Sequence, residues 1–124
     1  MLVSVPRIYH ITTASAWDKA RSARSYAEST RGLSLAQVGF IHCSYASQVS
    51  QVADAHYRGV PHLVLLVIDP TRLTADVRDE DLEGQGQSFP HIYGPLNLDA
   101  VLAAIPFSPG EDGSFAGPAM ACEA

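Results

Sequence analysis

The 124-residue chain is short of cysteine, of basic charge and of long apolar runs, and each shortage closes off a class of protein. Its two cysteines, Cys43 and Cys122, stand in unrelated settings and have no spacing that makes a disulfide framework. Eight Lys and Arg face 13 Asp and Glu, a formal charge of -5. That balance argues against a duplex nucleic-acid binder, which presents a basic face to displace counterions. The longest apolar runs, such as Leu63–Ile68, reach only about a third of the roughly 20 residues of a membrane-spanning helix, so no membrane partner is expected. The first residues have neither a cationic start before an apolar stretch nor a small-residue cleavage site, and the expected location is cytoplasmic. No internal repeat is visible, and nothing in the chain fixes an oligomeric state.

What is there suits one domain. An apolar content of 47% fills a single core at this length. The domain is expected to span 1–107, with 108–124 as a flexible tail rich in Pro and Gly. Residues 7–12 alternate and are β-branched or aromatic, which predicts a first strand, and Thr13 is placed to cap a helix running to about Arg24. Residues 26–38 have no clean period. Gly39–Ser44 predicts a short strand, with Ser44 capping a helix to about Tyr57 whose apolar face is Val49, Val52, Ala53 and His56. Leu63–Ile68 is continuously apolar and predicts the central strand, covered on both faces. Leu73–Val77 predicts an extended segment, Asp79–Gln87 an acidic loop, and Phe89–Pro95 a short strand at an edge or a site. Leu98–Ile105 predicts a short helix capped by Asn97. Strands and helices mixed without strict alternation point to an α+β fold with two to three helices.

Three of the five histidines share a setting. His10, His42 and His91 each lie in or beside a short strand near its end, and period 2 sets His10 with Ile8 and Thr12, and His42 with Phe40 and Ser44. The expectation is one cleft lined by all three, whose near-neutral imidazoles suit proton transfer. Replacing His10 by alanine would then spare the fold and remove the ligand. His56 and His62 read as structural. Cys43 shares a face with Ile41 and reads as packing rather than as a nucleophile. Neutral imidazoles on neighbouring strands are a common way to hold catalytic zinc, yet no His-x-His, Cys-x-x-Cys or His-Glu-x-x-His occurs, and no metal is assigned. Basic charge gathers at the start, five basic against two acidic residues through position 31, which offers Arg7, Arg21 and Arg24 as anion contacts.

Tyr9-His-Ile-Thr12, Trp17, Gly39-Phe-Ile-His-Cys-Ser44, Gln48 with Val49 and Val52, Leu65–Asp69 and Phe89-Pro-His-Ile-Tyr-Gly-Pro-Leu96 together resemble the bacterial family called domain of unknown function 952. The likeness spans residues 7 to about 107. Val38 stands where relatives often carry an acid before Gly39, and Glu80 stands at the family's acidic position upstream of Phe89. The resemblance implies a small branch of the ADP-ribosyltransferase-like fold, a split mixed β-sheet, alongside RNA 2'-phosphotransferases. It implies NAD as a cofactor and a first-strand histidine, here His10, on the ribose, although Ile11 replaces the usual Gly. Ser44 and His42 then face the cleft from the second strand, and His91 with Tyr93 fill the last strand in place of a catalytic glutamate.

The resulting expectation is a nucleotide-like or phosphorylated small-molecule ligand. His10, His42 and His91 would do the chemistry, with Thr12, Ser44, Tyr93, Arg7 and Arg24 holding the ligand. A transferase of the ADP-ribosyltransferase or 2'-phosphotransferase group stands against two alternatives: a non-catalytic binding module that kept the cleft, and a metal-dependent hydrolase.

Overall fold

Six strands, three helices and three single 3-10 turns build the molecule, in a computed structural model that describes residues 6–29, 33–82 and 84–116. Strand β1, Ile8–Thr13, runs into helix α1, Ala14–Ala23, through Thr13, whose hydroxyl accepts the Ala16 N–H at 3.1 Å. The helix closes on Arg24 in the left-handed conformation at φ 62°. The patternless stretch after it contains a one-turn helix, α2 at Leu35–Val38, fixed by a reciprocal Ser34–Gln37 capping box. Strand β2 is only Ile41–His42, helix α3 is Val49–His56, and β3 is Leu63–Ile68. Strands β4, Asp76–Glu80, β5, Phe89–Tyr93, and β6, Val101–Phe107, complete the set.

The strands form two antiparallel sheets of three, ordered β1-β3-β6 and β2-β5-β4. As expected from its unbroken apolar run, β3 is central and covered on both faces. On one face Leu66 and Ile68 join Ile8, Ala20 and Tyr26, together with Ile41, Cys43 and Ile92 of the second sheet. On the other, Leu63 and Leu65 join Tyr9 and Ile11 with Val49, Val52, Ala53 and Tyr57. The α+β class is therefore observed, with every pairing between named strands antiparallel rather than mixed.

Several local expectations are corrected by tertiary pairing. Leu98–Ile105 is not a helix: a 3-10 turn, Leu98–Ala100, leads into β6, which supplies the second neighbour that β3 requires. Asn97 does not cap it; its side-chain oxygen accepts the Thr74 N–H and its amide donates to the Arg72 carbonyl. Asp79 and Glu80 are strand rather than loop, paired with Pro90 and Phe89. Strand β5 is the centre of its sheet, not an edge. Pro90 is tolerated there because its missing N–H falls where β2 stops: Cys43 N–H donates to the Pro90 carbonyl, and no bond can return. Ser44 caps no helix; it is buried and pairs with Tyr9 across the two sheets. Residues 110–116 turn back, and Phe115 is buried with its ring stacked on Phe107 at 5.0 Å, while 117–124 of the expected tail lie outside the described residues. Cys122 and Arg31 lie outside the described residues.

Candidate functional site

The second sheet brings two of the three expected histidines together. His42 on β2 is directly opposite His91 on β5. The flanking Cys43–Pro90 backbone bond makes this a pair without mutual backbone hydrogen bonds, the arrangement in which facing side chains come closest. Their ring centroids are 5.2 Å apart. Phe40 stacks on His91 at 4.0 Å and Phe89 lies 5.0 Å from His42, so the imidazoles sit in an aromatic frame. They line a cavity of about 350 Å³ between the sheet and α3, walled also by Gln51, Val52 and His56 and by Glu80, Asp81 and Gln87.

The two imidazoles are held differently. His91 is buried, and its Nδ1–H donates to Glu80 Oε1 at 3.0 Å. Tyr93 donates its hydroxyl to the same oxygen at 2.5 Å. These two bonds, Tyr93 first, hold the Glu80 carboxyl below the usual carboxylate range, so it accepts both protons as an anion and leaves His91 Nε2 as the ring's remaining nitrogen. The same bond pushes the Tyr93 hydroxyl up. His42 forms no ring-nitrogen hydrogen bond to another described residue, and burial, then repulsion from His91, lowers its pKa to about 4. It is a neutral imidazole at physiological pH. Beside this group Arg78 lies 4.3 Å over the Tyr93 ring, on the sheet face shared with His91.

His10 is elsewhere. It is 2% exposed, packed in the core, and spends both ring nitrogens: Nδ1–H donates to the His42 carbonyl at 2.7 Å, and Nε2 accepts the Tyr26 hydroxyl at 2.7 Å. Burial lowers its pKa to about 4, and burial pushes the Tyr26 hydroxyl up. His10 thus touches the backbone of His42 rather than the cavity that the His42 ring enters. Thr12 and Ser44 are likewise buried outside that cavity, Thr12 hydrogen-bonded to Tyr26. Arg7 and Arg24 are exposed and line no part of it, and at the start of α1 the Ala16 N–H is taken by Thr13 and the Ala14 N–H by the His62 carbonyl. His56 corrects the opposite way: it is exposed and lines the cavity, while Tyr57 takes the buried position on that turn. Burial pushes the Cys43 thiol up, consistent with packing rather than nucleophilic chemistry. Among the described residues no group of three His, Cys, Asp or Glu converges in a metal-ligand arrangement, and no helix is long and apolar enough to cross a membrane.

The sequence marks Glu80 as an acidic position without a role and sets Phe40 on the face of His42 without one, and it does not single out Gln51 or Arg78. The usable signal was alternation: period 2 sets Arg78 and Glu80 on one face of a strand, but only once Asp76–Glu80 is read as a strand.

Known proteins place this architecture. The crystal structure of protein CC0527 from Caulobacter crescentus is similar over 94% of this chain and 96% of its own, with a TM-score of 0.76 and 31% identity. The solution structure of CC0527 gives a TM-score of 0.64 at 28% identity, over 95% of this chain and 96% of its own. No curated protein matches the chain significantly. The family model described as protein of unknown function (DUF952) matches residues 11–104, which include β1 from Ile11 onward, His42, Glu80 and His91. The chain belongs to the DUF952 family.

Proposed function

We propose that the His42–His91 cleft binds the sugar and base portion of a nucleotide-like small molecule, and that His91 acts on it as a general base oriented by Glu80. The observation that carries this reading is the pairing itself. One imidazole is fixed by a carboxylate, the other is neutral and without a hydrogen-bond partner among the described residues, and their centroids are 5.2 Å apart in an aromatic-walled cavity. A carboxylate on Nδ1–H keeps the proton-accepting lone pair on Nε2 and stabilises the imidazolium once a ligand hydroxyl has given up its proton. Phe40 and Phe89 offer ring faces for a planar base, and Gln51 and Gln87 offer amides to its edge or to sugar hydroxyls.

Charge narrows the ligand. Among the described residues lining the cavity there is no lysine or arginine, while Glu80 and Asp81 are acidic. A phosphate therefore does not belong inside. It belongs at the rim, toward Arg78 on the face of His91. NAD in the manner implied by the resemblance does not fit: the residue that would hold its ribose, His10, is sealed in the core with both nitrogens engaged, and among the described residues no lysine or arginine lines the cavity to meet a pyrophosphate.

A thermal-shift screen with adenosine, AMP, ADP-ribose, NAD and inorganic phosphate tests the reading. Adenosine and AMP should stabilise the protein, inorganic phosphate alone should not, and His91→Gln should abolish both shifts. Stabilisation by phosphate alone, or by adenosine equally in His91→Gln, contradicts the proposal. Binding with no change in the ligand leaves the non-catalytic module as the reading.

A further inference from the structure

The two sheets touch at one point and then part. Tyr9 and Ser44 exchange both of their backbone hydrogen bonds at 2.8 Å. One antiparallel step further, Ile11 would lie opposite His42 and exchange a second pair. Side chains take those positions instead. His42 N–H donates to Ser29 Oγ at 3.3 Å, the His42 carbonyl accepts His10 Nδ1–H at 2.7 Å, and the Ile11 carbonyl accepts the Tyr57 hydroxyl at 3.3 Å. A cavity of only about 10 Å³ lies at the fork, lined by His10, Ile11, His42 and Tyr57 among others.

We propose that His10 is a positioning residue: it holds the His42 carbonyl at this fork, keeps β2 from zipping onto β1, and so keeps the His42 ring in the cleft opposite His91. This rests on the reading of that cleft as the ligand site. Strand β2 has two residues and one strand neighbour, so its own ladder does little to fix it. The two backbone groups of His42 that point away from β5 are held entirely by side chains, and of the two bonds the one to His10 is the shorter. Tyr26 completes the device. By donating its hydroxyl to Nε2 it fixes the tautomer in which Nδ1 carries the proton that His42 needs. A side chain of similar volume without an N–H would fill the space and leave the His42 carbonyl without this donor.

The test separates donor from bulk, by NMR on the full chain without ligand. In the wild-type protein His10 should be the Nδ1–H tautomer, with cross-relaxation between the His42 and His91 ring protons. His10→Leu keeps bulk and removes the donor; it should lose that cross-relaxation. His10→Asn keeps an N–H donor with less bulk and should retain it. The Nε2–H tautomer in the wild-type protein, or an intact His42–His91 contact in His10→Leu, overturns the proposal. If His10→Leu does not fold, the wild-type tautomer and His10→Asn decide: a folded Asn variant that has lost the contact also overturns it. Every readout is on the free protein. A cleft that binds nothing in the ligand screen therefore sinks the functional reading without touching this one, and the reverse holds for a displaced His42 in a protein that binds adenosine.

Discussion

At position 10 a histidine is both in line with the cleft residues and shut away from the cleft. Strand period placed it correctly on the face of Ile8 and Thr12, but which face of a strand is covered, and by what, depends on Tyr26 and β2 arriving from 16 and 32 residues away. The cost of removing it changes accordingly. His10→Ala takes the donor from the buried His42 carbonyl and the acceptor from the buried Tyr26 hydroxyl, and should destabilise the fold by about 2 to 4 kcal/mol rather than spare it. Proton linkage gives a second signature. Burial lowers the pKa values of His10 and His42 to about 4 in the folded state, from an ordinary 6.5. The unfolded chain therefore binds protons first on acidification, so their contribution is intact above about pH 6.5 and is lost as pH falls toward 4. For His10 the loss is on the order of 3 kcal/mol by pH 4. Denaturant unfolding across that window should show His10→Asn with a shallower decline than the wild-type protein; parallel curves contradict the assignment.

Elements were legible wherever local chemistry agreed with tertiary demand. Ile8–Thr13, the Thr13 cap and Leu63–Ile68 could be read directly because alternation, capping and an unbroken apolar run each have one structural solution. Leu98–Ile105 could not, since alanine and leucine suit a helix locally and the open edge of β3 is invisible in the sequence. Residues 108–116 are hard to read for a similar reason: Pro109 and Gly110 mark a turn, and nothing local says that the chain returns to the core after it. Its return carries Phe115 onto Phe107, with the Phe115 N–H on Asp54 Oδ1 at 2.9 Å. Phe115→Ala should therefore cost about 3 kcal/mol, a drop of several degrees in Tm for a domain of this size. An unchanged melting temperature would return 108–116 to the status of a loose tail.

Over the whole molecule, the candidate site exists because two small sheets meet at Tyr9 and Ser44 and then diverge. Half of the site was legible from the sequence: His42 and His91 stood out through their short strands, whereas Glu80 became meaningful only as the β4 partner that orients His91. The N-terminal arginines stand out by charge alone, and charge on a sequence does not say which face it reaches; Arg78, a single basic residue in an acidic stretch, lies over Tyr93 and opposite His91 in the sheet. The proposed function puts the ligand at the His42–His91 pair. The most direct measurement is an imidazole-resolved NMR titration of the full chain with adenosine. The ring signals of His42 and His91 should shift together and saturate, while those of His10, buried with both nitrogens engaged, stay within a small fraction of that change. Shifts confined to His10 and α1, or none at any histidine while adenosine binds, would contradict the account.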